Sequence, residues 1–298
     1  MKRFATALII IAGMLWGSMG LFVRRLNDLG LKSMQIVELR AFTACAVLFL
    51  VLLLQNRYLL FIRLKDLWCF LGTGICSIIF FNYCYFKAIE IASLSVAAVL
   101  LYTAPVLVML FSYFLFHEKF TVYKALALVL TVAGCALVTG VADQGGRVSC
   151  AGILAGLGAG LGYALYSIFG RYALERGYSS LTITFYTFLI AFIGSLFLAD
   201  IRSVIPVAFQ SVSTSALSIG LGVLCTVMPF FMYTRGLSYV ENSKASIYAS
   251  VEPVTATVLG VLVFQEHMSA GGAIGIIFVI AALIICGNVE EKNKEISE

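Results

Sequence analysis

Arg40 and Glu252 are charged side chains set inside runs of residues that are otherwise almost wholly apolar. Arg40 lies seven residues into the run 33–54, and Glu252 nine residues into the run 243–264. At 1.5 Å of rise per helical residue these depths are about 10 Å and about 13 Å. An ionisable group so deep in an apolar medium is costly to hold and is by default a candidate for function. A guanidinium pairs with a carboxylate, and a carboxylate pairs with an ammonium. Facing one cavity, Arg40 and Glu252 would hold the two ends of a zwitterion such as an amino acid. The competing readings are an ion pair between them, or Arg40 bonded to Glu38 and backbone carbonyls. A proton carried by Glu252 is a further role for the same carboxyl.

Six aromatic residues also lie within apolar runs rather than at their flanks: Trp16, Tyr83, Tyr102, Tyr163, Tyr166 and Tyr248. An interfacial belt would place such rings at the ends of a membrane helix. Trp16, Tyr102, Tyr163, Tyr166 and Tyr248 are therefore taken with Arg40 and Glu252 as candidate substrate contacts, with core packing the alternative for each. Pro105 and Pro253 sit inside two of the runs, where proline removes a backbone hydrogen bond. They are candidate hinge or cavity-lining positions. Glu118 and Glu266 end the same two runs and precede Thr121 and Ser269, residues suited to cap the next helix. Organising that tight turn is the expected role of both glutamates.

The elements that would position these residues are membrane helices. Hydrophobic residues make up 61% of the chain and charged residues 12%, against about 25% charged in a soluble domain. A mean hydropathy of +1.02 leaves no polar surface for a soluble fold. A span needs about 20 apolar residues. Ten such stretches are placed near 4–23, 33–54, 67–87, 93–116, 122–140, 149–170, 180–199, 211–234, 243–264 and 270–287. Lys2-Arg3 before the first run resembles a signal peptide, but the run has span length, ends in Arg24-Arg25 and lacks a small-residue cleavage site. It is expected to be retained. With the N-terminus inside, alternate loops place 13 Lys and Arg on the inner side and 6 on the outer. This bias predicts a multi-pass protein of the cell membrane with both termini cytoplasmic. Residues 288–298 form a polar cytoplasmic tail.

The second half of the chain repeats the first at an offset of 148 residues. Tyr85, Ser95, Ala97, Pro105, Val106, Phe116 and Glu118 recur as Tyr233, Ser243, Ala245, Pro253, Val254, Phe264 and Glu266. Gly72-x-Gly74 recurs as Gly220-x-Gly222, and Trp16-Gly17-Ser18 with Arg24 aligns with Tyr163-Ala164-Leu165 and Arg171. Such a repeat must be recognised before any other feature. Residues 4–140 and 149–287 are then two units of five helices each. An odd number sends the second unit into the membrane from the opposite face. The fold expected is an all-α membrane protein of ten transmembrane helices in two inverted five-helix repeats. In secondary transporters of that plan the site lies near the midplane between the halves. The copies differ where cargo would touch them: Ala104 precedes Pro105 but Glu252 precedes Pro253, and Arg40 has Thr187 as its counterpart.

Trp16-Gly17-Ser18, Glu38-Leu39-Arg40-Ala41-Phe42, Tyr102-Thr103-Ala104-Pro105, Phe116-His117-Glu118-Lys119-Phe120-Thr121 and Glu252-Pro253 with Glu266 resemble EamA-type members of the drug/metabolite transporter superfamily. The resemblance spans essentially the whole chain. It implies a ten-helix, five-plus-five carrier of amino acids, other metabolites or toxic organic compounds, and does not identify the cargo.

Other classes find less support. All four aspartates fall in loops or at span ends, both histidines at turns, and no catalytic set assembles at depth. No phosphate-binding G-x-x-x-x-G-K-[ST] motif is present, which excludes an ATP-driven pump within this chain. The eight cysteines form no C-x-x-C or Cys/His cluster, so no metal site is expected. The net charge of +5 fits loops against an anionic leaflet. The expected partners are a small-molecule substrate and the lipid bilayer, with no nucleic acid and no cofactor. The reading is a secondary transporter working by alternating access on an amino acid, a related compound or an amphipathic drug-like molecule. A passive channel is the alternative, and an intramembrane enzyme the weaker one.

Overall fold

A computed structural model describes residues 2–140, 149–199 and 201–295. Two of the four aspartates, Asp143 and Asp200, one of the six outer-side cations, Arg147, and residues 296–298 of the tail lie outside the described residues. The described residues form helices and contain no strand. Eight helical stretches are long and apolar enough to cross a membrane: α1 (Arg3–Asp28), α2 (Ser33–Gln55), α3 (Leu64–Ile91), α4 (Leu94–Phe116), α6 (Cys150–Glu175), α8 (Val212–Leu237), α9 (Asn242–Phe264) and α10 (Ala270–Gly287). Two shorter apolar helices complete the series, α5 (Val122–Val138) and α7 (Ser180–Ser195). The backbone of the last helix continues to Glu295, through part of the expected tail.

Short links make successive helices antiparallel. One end of the bundle, called here the near end, carries the N-terminus and the α2–α3, α4–α5, α6–α7 and α8–α9 links. The far end carries the α1–α2, α3–α4 and α9–α10 links and the short helix Ile201–Ala208 between α7 and α8. Side-chain bonds respect this division. At the near end Asp66 accepts from Arg63 (2.8 Å), Arg176 (3.1 Å) and Tyr178 (2.8 Å), joining two links. At the far end Gln35 donates to Ser203 at 2.8 Å.

The principal packing partners are α5 with α10, α3 with α6, α2 with α7, α1 with α8, α4 with α6 and α1 with α9. Moving each helix to its counterpart five places on maps this set onto itself. Small residues permit the closest approaches, as in membrane helix pairs generally. A Cβ on Gly134 of α5 would lie 2.8 Å from the Gly275 carbonyl oxygen of α10. One on Gly162 of α6 would lie 2.8 Å from the Phe81 nitrogen of α3. Gly156, Gly158, Gly160 and Gly162 of α6 thus serve helix packing.

Several helices are interrupted near the middle. α1 breaks at Ser18 between Lys2–Gly17 and Met19–Asp28. α4 breaks at Tyr102-Thr103 before Ala104–Phe116, and α9 at Ser250 before Val251–Phe264. Pro105 and Pro253 therefore occupy the first turn of a new half-helix, where a missing N–H costs no intrahelical bond. The helices break just upstream of these two prolines, the candidate hinge or cavity-lining positions. α3 and α8 contain π-helical stretches at Gly72–Ile79 and Val223–Val227, which also correspond at the 148-residue offset.

Candidate functional site: a central cavity

A cavity of about 750 Å³ lies between α1, α2, α3, α4, α6, α8 and α9. Its walls are aromatic. Trp16 of α1 stands edge-on to Tyr163 at 6.1 Å and Phe230 at 5.0 Å, and is tilted against Tyr233 at 5.4 Å. Phe81 meets Tyr163 edge-on at 5.9 Å, and Tyr166 meets Phe230 at 5.0 Å. Such offset and edge geometries follow the ring quadrupoles. The hydroxyls of Tyr166 and Tyr233 are bonded within the wall, to Thr234 and Ser167, each at 2.7 Å. The two tyrosines therefore present their rings to the cavity as largely apolar surface.

Two charged groups stand among these rings. The break at Ser18 and the absence of a side chain at Gly17 bring α1 against the break in α9. A Cβ on Gly17 would lie 2.5 Å from the Glu252 carbonyl oxygen. Glu252 is thereby held beside Trp16, and its carboxylate accepts a hydrogen bond from the Tyr163 hydroxyl at 3.2 Å. Arg40 projects from α2 toward α3, just beyond its π-helical stretch. Its guanidinium meets Asn82 Oδ1 at 3.4 Å and Met19 Sδ at 3.3 Å, both long contacts. Asn82 is held by its own donation to the Ile78 carbonyl at 2.7 Å.

Among the described residues no carboxylate lies within ion-pairing distance of Arg40, and no cation within that distance of Glu252. Neither an Arg40–Glu252 ion pair nor an Arg40–Glu38 bond is formed. Arg40 Nε and Trp16 Nε1 are buried without a hydrogen-bond partner. Buried donors are normally satisfied, so two donors at the cavity wall mark it as a place for polar ligand atoms. Among the described residues no cluster of His, Cys, Asp or Glu could hold a metal ion.

Of the residues singled out in the sequence, Trp16, Arg40, Tyr102, Tyr163, Tyr166, Glu252 and Pro253 line the cavity. Tyr248 does not: it is fully buried in the helix core beside α10. Pro105 is buried behind the wall. Tyr83 is 54% exposed on the outside of the bundle. Ser77, Phe81, Asn82, Tyr85, Phe230 and Tyr233 line the cavity without having been singled out for it. Asn82 could have been found as an amide inside an apolar run, and Tyr85 and Tyr233 as identical residues of the repeat.

The cavity opens at one end. Its rim includes Arg24, Asn27, Ser33, Glu90, Leu94, Thr139 and Phe264, all at the far end. At the near end the chain is tied shut. Arg171 donates to the Leu237 carbonyl at 2.5 Å and to that of Val240 at 3.4 Å. The Glu118 carboxylate accepts from the backbone N–H groups of Asn242 (2.7 Å) and Ser243 (3.1 Å) and from the Ser243 hydroxyl. Glu118 thus caps the first turn of α9 instead of organising its own turn, the role expected of it. Thr121 and Ser269 do cap their helices, accepting from Lys124 and Gly272.

Comparison with known proteins agrees with this architecture. A solved crystal structure superposes with a TM-score of 0.79 at 17% identity, over 97% of this chain and 98% of that one. An uncharacterized transporter of Archaeoglobus fulgidus is 29% identical over 295 residues, covering 95% of this chain and 96% of its own. The uncharacterized transporter YxxF of Bacillus subtilis is 25% identical over 95% of this chain and 90% of its own. The threonine/homoserine exporter RhtA of Salmonella typhimurium is 25% identical over 67% of this chain and 65% of its own. The profile of the EamA-like transporter family matches twice, at residues 3–140 and 151–287. The chain belongs to the EamA-like transporter family, within the drug/metabolite transporter superfamily.

Proposed function

We propose that the protein is a secondary transporter that carries a small zwitterionic metabolite, an amino acid or a close relative, across the cell membrane by alternating access. The observation that carries this reading is the pair of ionisable side chains, Arg40 and Glu252, that form no ion pair with each other in one aromatic cavity of about 750 Å³ open at a single end. That volume falls within the usual range for small-molecule sites, roughly 300–1,000 Å³. The cargo carboxylate sits at Arg40 with Asn82 and Ser77. Its ammonium sits at Glu252 against the faces of Trp16 and Tyr163, where a cation is favoured. The apolar remainder packs on Phe81 and Phe230. Tyr102 and Tyr166 complete the wall, and the breaks beside Pro105 and Pro253 let the half-helices tilt.

The helices act as ten spans in two inverted repeats, 4–140 and 149–287, with both termini cytoplasmic. Three features support this plan: the doubled family match, the packing set preserved by the five-helix shift, and the paired breaks and π-helical stretches. In that orientation the far end faces outward. Inverted repeats of this kind expose one fixed site to each side in turn.

Counterflow of labelled amino acids in proteoliposomes tests the reading. Wild-type protein is expected to show saturable, counterflow-competent uptake. Arg40→Gln and Glu252→Gln should each lower it at least about tenfold, the loss expected when a buried charge-assisted bond is removed. Unchanged transport by Glu252→Gln at every pH would sink both the substrate role and the proton-coupling role of that carboxyl. The aromatic walls also suit an amphipathic organic cation, for which Glu252→Gln would be inactive and Arg40→Gln normal. Non-saturating flux would replace the carrier by a channel.

A further inference from the structure

The near end and the far end hold the same two side-chain types in two different arrangements. At the near end Arg171 and Glu118 each reach across to the α8–α9 hairpin. Arg171 donates to the Leu237 carbonyl, and Glu118 accepts from the Ser243 hydroxyl and from two backbone N–H groups at the start of α9. At the far end their counterparts in the repeat are Arg24 and Glu266, and these are paired with one another. Arg24 Nη2 meets Glu266 Oε1 at 2.5 Å, and the Arg24 guanidinium lies over the Phe264 ring at 4.2 Å.

The turns that present the two glutamates are the same. His117 and Gln265 both take left-handed backbone conformations, with φ of 52° and 54°. The following N–H then returns to the helix in each case, Glu118 to Ser112 at 3.1 Å and Glu266 to Gly260 at 3.2 Å. This helix-ending motif occurs at positions 148 residues apart, so it aims both carboxylates alike relative to their own halves. The acceptors and donors used at the near end also have counterparts at the far end. Ser243 corresponds to Ser95, and Leu237 to Ile89. Both Ser95 and Ile89 line the open rim of the cavity together with Arg24.

We propose that Glu118 and Glu266 are positioning residues of the transport cycle, a pair of latches that close opposite ends of the pathway and are never both engaged. In the conformation described, the Glu118–Ser243 latch shuts the near end while Glu266 is parked on Arg24. When the far end closes, Glu266 leaves Arg24 and takes the Ser95 hydroxyl and the first N–H groups of α4. Arg24 turns to the Ile89 carbonyl. At the near end Glu118 releases α9 and pairs with Arg171. Each carboxylate exchanges one charge-assisted partner for another, so neither is left uncompensated in either state, and the two ends stay close in energy.

The inference rests on the alternating-access reading above, and its test separates the two. Spin labels are placed by cysteine substitution at Phe120 and Tyr239 for the near end, and at their counterparts Met268 and Ile91 for the far end. The full-length protein is measured in lipid bilayers, with exposed Cys76 and Cys150 replaced by serine. Wild-type protein should show a short and a long distance at each end, in opposite proportions. Ser243→Ala should raise the ratio of long to short at the near end at least about tenfold, a hydrogen bond to a carboxylate being lost from the near-closed state only, and shorten the far end. Ser95→Ala should do the reverse. Unchanged ratios in the variants, with wild-type protein exchanging normally, would overturn the latches and leave alternating access standing. A single unvarying distance at each end of the wild-type protein would overturn both.

Discussion

Lys124 is a residue whose position explains a cost the chain accepts at the near end. It begins α5, is only 4% exposed, and reaches Glu241 at 2.7 Å, Glu118 at 3.8 Å and the Lys119 carbonyl at 3.0 Å. Removing one partner of a buried ion pair is strongly destabilising because the remaining charge is stranded. Because Glu241 is half-exposed, Lys124→Met is expected to lower unfolding stability by about 1 kcal/mol, read by thermal unfolding in detergent. The same cluster sets an acid limit. Burial pushes the Glu241 carboxyl up, but the Lys124 and Lys244 ammoniums outweigh it and hold the group below its usual 4.5. A carboxyl lowered in the folded state stabilises it fully above the unfolded value, and that contribution is lost as pH falls through the lowered one. Stability should therefore decline below about pH 4.5, with a smaller decline in Lys124→Met, which has already lost the partner. An equal acid-side slope in both proteins would mean that other carboxyls set the limit.

At the scale of the element, helix-to-helix distance decides where cavity residues stand. Gly162 of α6 touches the Phe81 backbone of α3, which cannot yield as a flexible side chain would. Gly162→Ala should cost about 1–3 kcal/mol and shift Phe81 and Asn82 at the cavity wall, so transport should fall with stability. Gly170, on the same helix, has nothing within 4 Å of an added Cβ. Gly170→Ala should be tolerated or stabilise by up to about 1 kcal/mol through helix propensity. Parallel thermal unfolding and uptake of the two variants checks the pair. These elements were only partly legible in the sequence. Arg40 and Glu252 stand out because a charge contrasts with any apolar run, and Pro105 and Pro253 mark the neighbourhood of the breaks. Which face of each helix turns inward was not legible. A helix packed on one side and bathed in lipid on the other is apolar all round, so it lacks the stripe that reveals the core face of a soluble helix. Tyr83 and Tyr163 look alike in sequence for that reason, yet one faces outward and the other lines the cavity. The π-helical stretch Gly72–Ile79, which carries Ser77 of the cavity wall, has no signal of its own, because it contains no proline and differs only in backbone bonding.

At the scale of the whole molecule, everything said of alternating access depends on the second half standing upside down relative to the first. The paired turns allow this to be tested without any knowledge of cargo. Phe120 and Met268 follow Glu118 and Glu266 by two residues each, are separated by 148 residues, and are 59% and 48% exposed. If the halves are inverted, these counterparts lie on opposite faces of the membrane; if an even number of crossings separated them, they would lie on the same face. In intact cells carrying Cys76 and Cys150 replaced by serine, a membrane-impermeant maleimide should label Met268→Cys and spare Phe120→Cys, and permeabilisation should expose both. Labelling of Phe120→Cys alone would keep the inversion and reverse the orientation, placing the termini outside. Equal labelling of the two in intact cells would make the repeats parallel. The latches could not then exchange roles by symmetry, because Glu118 and Glu266 would guard the same face.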